Sequence, residues 1–466
     1  MINTRLCPME VPAAVRQALG KCATSIALRD VDKADPDQLL RMVLLSDGCH
    51  KLQVIYRSCD LLDLETLNTH LRHSYTLLPA AEQQRLCGRL GLSELSELPA
   101  LPALTGWRTV IDSAVDAGSA VALMLQNPHL AMVMPAHDFM DLCGEAGRLN
   151  CAVAVAPLAE AIADHGNDRE QVHFAIKRFT SLRIRQRLED TLELPPLPET
   201  ARRIIRLRTD PNSVMADLVD IVESDPSLAA QIISWASSSF YAAPGRVNSV
   251  HDAISRVLGF DMVMNLAMGL SLGRVLRPPT RGIRGYEDYW QQAAWLANGA
   301  GLLASLITGA GRPVFGLAYL AGLLHNFGTL VLAHVFPPHF SLLCRAQEVN
   351  PGLDSSVVER HLLGITGGQI AAQLMENWSM PEEVTSAVRQ HKNPAAAGEH
   401  QVYSQVLWLA RQLLTERGIG LGVGEPVTPG IYRQLGLDPK RVHKRFDQLV
   451  TNRGSVLEMA SMLTPR

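Results

Sequence analysis

Along the first 151 residues, short apolar runs alternate with polar turns and amphipathic stretches. MVLL at 42–45, LQVIY at 52–56, TVID at 109–112 and HLAMVMP at 129–135 have the length and composition of strands. The alternation predicts an α/β or α+β domain, a mixed sheet with helices. From about residue 160 the spacing changes to three or four. Val172, Ile176, Phe179, Leu182 and Leu188 lie on one face of a charged segment, which predicts a linking helix, and Pro195, Pro196 and Pro198 break it. Beyond Thr200 the helix-start signals recur. Asp225 and Pro226 fit an N-cap and first-turn proline, and Ser249 to Asp252 fits a capping box ahead of AISRVLGF. Residues 253–277 and 293–334 are apolar on nearly every face, so their helices belong at the centre of a bundle. In DPKRVHKRFDQLV, Val442, Phe446 and Leu449 form a stripe that would dock on that bundle or serve as an oligomer contact. The expected layout is an α/β domain over 1–158, a basic linker helix over 159–190, an all-α domain over 191–412 and a helical extension over 413–466.

Composition adds limits to this layout. The chain has 466 residues, 47% of them hydrophobic and 19% charged, enough to bury more than one core. A formal net charge of -3 exerts no global pull toward nucleic acid or an anionic membrane. The eight cysteines, at 7, 22, 49, 59, 87, 143, 151 and 344, include no CxxC pair and read as buried thiols of a reducing cytosol. The start MINTRLCPMEVPAAV lacks a signal-peptide pattern and no long uninterrupted apolar window occurs, so a cytoplasmic protein without a membrane span is expected. Nine Lys and Arg residues between Lys177 and Arg208 read as a solvated helix face. The serines of SWASSSF (234–240) lack a nucleophile elbow and read as a helix end, and GAGR (309–312) lacks the pattern of a phosphate loop.

The stretch with the most pointed chemistry is GLLHNFGTL, Gly322 to Leu330. A His-Asp pair within an apolar helix can hold a divalent metal, but here Asn326 follows His325. The surrounding order is LPPLPETARRI, DLVDIVESDPSLAAQIISWASSSFY, VNSVHDAISRVLGF, YWQQAAWLANGAGLLA, LAYLAGLLHNFGTLVLA and ERHLLGITGGQIAAQLMENWSMPEEVTSAVRQHKNP. This order closely resembles the HDOD family over about residues 190–410. The resemblance implies an all-helical relative of the HD phosphohydrolases, used mostly in bacterial signalling, whose metal ligands are often incomplete. Carried over position by position, the ligand set reads Gln292 after the Tyr-Trp pair, His325 and Asn326 for His-Asp, Gly367 in TGGQ, His391 and Lys392 for the His-His end, and Ala410-Arg411 for the late Ala-Asp. Asparagine offers a neutral carbonyl, glycine offers no donor, and lysine and arginine bring positive charge. Such a set predicts no metal, no cofactor and no dinuclear hydrolysis. What remains is a vestigial site or ligand pocket of Gln292, His325, Asn326, Gly367, His391, Lys392 and Arg411, able to take a nucleotide or another anion. Trp235, Phe240, Tyr241, His251, Trp290, Trp378 and Pro381 fall in the family's characteristic segments and are expected to shape packing.

Residues 38–145 are similar in order to the YbaK-like aminoacyl-tRNA deacylases, a mixed α/β editing fold: QLLRMVLLSDGCHKLQVIY, LLDLETLNTHL, CGRLGLSELSELPAL, then TVIDSAVDAGSAVALMLQNPHLAMVMPAHDFMDLC. The family's functional lysine, placed just before the first strand, corresponds to Arg41, the N-terminal pocket candidate; guanidinium is a poor replacement for a compact ammonium. The expected function is therefore a non-catalytic bacterial regulatory protein. Its helical domain would bind a ligand or protein, and its degenerate deacylase-like domain would aid recognition. Signalling proteins are the expected partners, tRNA and membranes are not, and homo-oligomerisation stays open. The alternatives are a metal-dependent HD-type phosphohydrolase acting on, for example, a cyclic dinucleotide, and aminoacyl-tRNA editing by the N-terminal domain.

Overall fold

The computed structural model of the chain describes residues 13–19, 26–30, 35–92, 98–115, 120–124, 130–163, 168–175, 197–237, 245–273, 282–284, 286–309 and 311–463. Most of the linker segment (176–196), Phe240, Tyr241, Cys7 and Cys22 lie outside these residues. The chain divides into two compact units: Met1–Ala161 with Arg345–Leu353, and Ile162–Cys344 with Asp354–Arg466.

The first unit is a mixed α/β domain. Its strands are β1 (Ala27–Asp30), β2 (Leu39–Ser46), β3 (Lys51–Arg57), β4 (Asp60–Leu62), β5 (Thr76–Leu77), β6 (Arg108–Asp112), β7 (Ala120–Met124), β8 (Leu130–Pro135), β9 (Gly147–Leu149) and β10 (Ala152–Ala154). The main sheet runs β1-β8-β7-β2-β3-β6-β9, with β5 on β2, and β4 pairs with β10 in a separate ribbon. β2 and β3 form an antiparallel hairpin, while β2–β7, β3–β6 and β6–β9 are parallel. The four apolar runs predicted as strands fall on β2, β3, β6 and β8. Alternation along each strand divides the core between the two sheet faces. Leu40, Leu44, Ile55, Ile111 and Leu123 pack with Val15 and Leu19 of α1 (Ala13–Leu19), Leu86 of α3 (Ala80–Leu90) and Phe139 of α4 (Ala136–Cys143). Val43, Leu45, Leu52, Val54 and Tyr56 pack with Leu64 and Leu67 of α2 (Leu64–Leu71) and with Val349. The 345–353 segment is tied in by Asn350, which accepts from the Leu62 N–H at 2.8 Å and donates to the Leu62 carbonyl at 3.0 Å. Among the described cysteines all are free thiols, and Cys87, Cys143, Cys151 and Cys344 are buried as expected. Cys49 is not: it sits exposed in the β2–β3 turn.

The second unit is all-α. Helical residues 168–175 (α6) lead to α7 (Glu199–Thr209), α8 (Met215–Glu223), α9 (Pro226–Ala236), α10 (Val250–Asp252) and α11 (Phe260–Gly273). Asp225 caps α9 by accepting from the Leu228 N–H at 3.0 Å, with Pro226 in the first turn, as the sequence predicts. Ser249 caps α10, but Asp252 reaches the Asn248 N–H instead of the Ser249 N–H, and Ala253–Leu258 continues as a π-helical turn. His251 is exposed and does not shape the packing, whereas Trp235 and Trp290 are buried.

The middle of the bundle is α12 (Tyr289–Leu306), which packs on α13 (Phe315–Leu324), α19 (Gln401–Thr415), α21 (Pro439–Thr451) and α22 (Arg453–Leu463). Between them in sequence lie α14 (Phe327–Val335), α15 (Pro337–Val349), α16 (Ser355–Leu363), α17 (Gly367–Asn377), α18 (Glu382–Gln390) and α20 (Pro429–Gln434). The buried residues of α21 are Val442, Phe446 and Leu449, the predicted stripe, and they face α12 and α19. Phe315–Val335 is long and apolar enough to cross a bilayer, but 83% of its most apolar window is buried in the fold, so it serves as core here. Glycine makes part of this core possible. At Gly322 an added Cβ would come within 2.6 Å of the Ala297 Cα, so the contact of α13 with α12 requires the missing side chain.

Candidate functional site

Helix α13 ends at His325, and Asn326 begins α14. The His325 ring folds back so that Nδ1 lies 2.7 Å from the Gly322 carbonyl. His391 ends α18 in the same way, with Nδ1 2.8 Å from the Val388 carbonyl. A carbonyl can only accept, so in both rings Nδ1 carries the proton and Nε2 keeps its lone pair. The two imidazoles meet edge to face with centroids 5.4 Å apart. Both are buried, at 7% and 5% exposure. Burial holds His325 neutral, lowering its pKa from 6.5 to about 3, with the nearby Arg411 and Lys392 acting in the same direction. Burial likewise holds His391 far below its usual range.

Around this pair lies a cavity of about 170 Å³. Gln292, His325, Asn326, Gly367, His391, Lys392 and Arg411 all line it, so helices α12, α13, α14, α17, α18 and α19 converge on one space. Their states differ. Gln292 is turned to the backbone, donating to the Glu287 carbonyl at 2.6 Å. Lys392 lies 3.2 Å from Asp354 and also donates to Ser355. Arg411 bonds Asp354 at 2.8 Å and the carbonyls of Leu421 and Val423 at 3.3 and 3.2 Å. Gly422, at φ +119°, passes so close to Arg411 that a Cβ there would lie 2.9 Å from Nη2. Three buried polar atoms of the cavity-lining residues have no hydrogen-bond partner among the described residues: Nη1 of Arg411, Oδ1 of Asn326 and Oη of Tyr289.

Two carboxylates that partner cavity residues were not among the residues picked from sequence. Asp354 caps α16 through the Ser356 N–H at 2.9 Å and faces both Lys392 and Arg411, which hold its carboxyl well below the usual range despite burial. Glu359, on α16, accepts the Gly367 N–H at 2.7 Å and is 4% exposed; burial is the largest influence and raises its pKa. A Cβ on Gly367 would stand 3.5 Å from the nearer Glu359 oxygen, so this acid borders the place where HD relatives carry a histidine. Within the ERHLLG motif Glu359 stands next to Arg360 and His361 and looked like a surface acid. Asp354 looked like an ordinary helix cap, because its partners lie 38 and 57 positions further on. Arg389, a cavity-lining residue also not singled out, is held by Asp168 of α6, which accepts from Gln369 as well.

These donors do not fit a hydrolytic metal centre. Among the described residues, three His, Cys, Asp or Glu ligand atoms come within 4.8 Å of one another at Asp47, His50 and His73 of the first unit, and not at the His325 cavity. Asp354 is already neutralised by two cations, and those cations, Lys392 and Arg411, line the same cavity as His325 and His391, so their positive charge opposes binding of a dication there.

The HDOD domain family matches residues 194–394. This is an HDOD-domain protein. A solved structure from Marinobacter aquaeolei VT8, provisionally described as a signal transduction protein, is 60% identical, with 97% of this chain and all of that chain covered and a TM-score of 0.88. An uncharacterized protein of Treponema pallidum (strain Nichols) is 26% identical over 219 residues; the match takes in 47% of this chain and 41% of that relative, so it represents less than half of the relative's length. A solved structure provisionally described as a trans-editing enzyme for prolyl-tRNA synthetase, 12% identical with a TM-score of 0.26, covers 30% of this chain and 96% of its own, too weak a likeness to argue from.

The Arg41 reading needs correction. Arg41 does not precede the first strand; it lies within β2 opposite Tyr56, on the face that carries Val43 and Leu45. Its guanidinium packs so closely on Gly352 that a Cβ there would overlap it, and its Nε is buried without a hydrogen-bond partner among the described residues. The half-buried side chain lies against the 345–353 segment.

The neutral histidines make the domain acid-sensitive. In the unfolded chain each takes up a proton near pH 6.5, whereas folded His325 resists protonation until about pH 3. Between those values the unfolded state binds more protons, so stability falls as pH falls. At pH 5 His325 alone lowers it by about 2 kcal/mol relative to pH 7, and His391 acts in the same direction. Denaturant titrations at pH 7 and pH 5 should show this loss, and His325→Gln should flatten the dependence.

Proposed function

We propose that this protein is a non-catalytic regulatory protein whose HDOD cavity binds a small anion-bearing ligand and passes its occupancy to a partner protein. The observation that carries the reading is a set of buried polar atoms without partners on residues lining one cavity, Nη1 of Arg411, Oδ1 of Asn326 and the hydroxyl of Tyr289, together with the two imidazole lone pairs of His325 and His391. A buried polar group without a partner is costly, and a ligand that supplies an acidic oxygen to Arg411 and a donor to Asn326 relieves that cost. The provisional signalling description of the Marinobacter protein agrees with a regulatory role. Size limits the ligand. A cavity of about 170 Å³ is comparable to those of about 150 Å³ that enclose one benzene. A phosphate or carboxylate on a small ring fits inside, while a cyclic dinucleotide would have to project into solvent.

The test is thermal unfolding with inorganic phosphate, citrate and adenosine monophosphate as probes. The expected result is a saturable rise in Tm with at least one of them, weakened about tenfold or more in Arg411→Lys, which keeps the charge but loses the second nitrogen of the fork. A rise that is the same in Arg411→Lys, or none with any probe, would remove the support for an anion site.

A further inference from the structure

We propose that Asp47, His50 and His73 form a binding site for a first-row transition-metal dication such as Zn²⁺ in the N-terminal unit. Asp47 and His50 lie in the turn joining β2 to β3, and His73 follows α2, so the site would tie two separate loops together. Their ligand atoms lie within 4.8 Å of one another. Oδ2 of Asp47 stands 2.7 Å from Nδ1 of His73 and 3.2 Å from Nδ1 of His50. The carboxylate is fixed before any ion arrives, since its other oxygen accepts the N–H groups of Cys49 and His50 at 2.9 and 2.6 Å. His73 is oriented by His50, edge to face with centroids 5.0 Å apart, and by Tyr75 at 4.9 Å.

Two imidazoles and one carboxylate suit zinc, cobalt, nickel or copper and leave a position for water; magnesium and calcium prefer oxygen sets. Bond lengths of about 2.1 Å would let one ion replace the hydrogen bonds that now join the three side chains. Binding needs no net proton loss from neutral rings: the proton on each Nδ1 moves to Nε2, and the freed Nδ1 lone pair goes to the metal. The side chain of His50 is 64% exposed, so its ring is reachable from solvent, while Asp47 at 13% and His73 at 27% form the floor. Nothing in this site depends on the HDOD cavity.

The experiment is titration of tag-free, full-length protein with Co²⁺, followed by visible d–d absorption, and with Zn²⁺, followed by Tm. The expected result is one equivalent of Co²⁺ giving an absorption band, and a Zn²⁺-dependent rise in Tm. Both should weaken about tenfold or more in His50→Gln and in His73→Gln, and persist in His325→Ala. Because His50 is largely exposed, His50→Gln should fold normally, which circular dichroism checks. No stoichiometric band, or a band unchanged in both variants, overturns the site; a band lost in His325→Ala instead places the metal in the HDOD cavity.

Discussion

Asp354→Asn should destabilise the HDOD domain by about 3 kcal/mol, at the low end for breaking a buried ion pair because part of the side chain is exposed. The substitution keeps the shape and the ability to cap α16, so the loss isolates the charge. In the native protein one carboxylate answers both Lys392 and Arg411. With an amide in its place, two cations remain in the cavity beside neutral His325 and His391, and nearby Glu359 is shifted toward its neutral form. Denaturant unfolding measures the effect, and the Arg411→Met and double variants complete a cycle in which the coupling is the predicted term. The pH sense follows from the same carboxylate. Its folded pKa lies below the unfolded value of 3.8, so its contribution is full above that value and is lost only as pH falls through the folded one. The acid loss between pH 7 and pH 5 therefore belongs to the histidines. A change of less than about 1 kcal/mol in Asp354→Asn would mean that solvent already screens the pair.

Gly328→Ala should be the other severe substitution. A Cβ at residue 328 would overlap the Gly367 carbonyl oxygen and stand 2.8 Å from the Gly367 Cα. Both obstacles are backbone, so no side-chain rotation relieves them, and α14 must move away from α17. Overpacking of this kind destabilises by about 1–3 kcal/mol or more, beyond the gain in helix propensity from glycine to alanine. The movement would also separate Asn326 from Gly367 and open the cavity. Gly367→Ala provides the contrast, since its Cβ would meet nothing closer than 3.5 Å, and it should be nearly neutral. Equal effects of the two substitutions would refute the close approach.

Much of this architecture was legible in the chain because period and burial agree. The α21 stripe of Val442, Phe446 and Leu449 and the all-round apolar α12 and α13 could be placed before any coordinates, and so could the strands of the β2–β3 hairpin. The cavity residues were found through the order of motifs, which brought Gln292, His325, Gly367, His391 and Arg411 to one place although up to 119 positions separate them. What was missed depends on tertiary pairing. Asp354 and Glu359 look like a helix cap and a surface acid until Arg411, Lys392 and the Gly367 N–H are seen beside them. Arg41 was picked by its correspondence to the deacylase lysine, and sequence could not show that its guanidinium lies against Gly352, more than 300 positions away. Asp47, His50 and His73 carry no spacing signature because the third ligand comes from a different loop.

The central claim is that the HDOD cavity binds without catalysing. Its most direct test is hydrolysis of phosphodiesters and phosphomonoesters by the purified protein in Mn²⁺ or Mg²⁺, with bound metal quantified in wild type, His325→Ala and His50→Gln. The expected result is no turnover above background, and no Mn²⁺ or Mg²⁺ whose retention depends on His325. Stoichiometric Mn²⁺ or Mg²⁺ together with turnover, both abolished in His325→Ala and intact in His50→Gln, would contradict it.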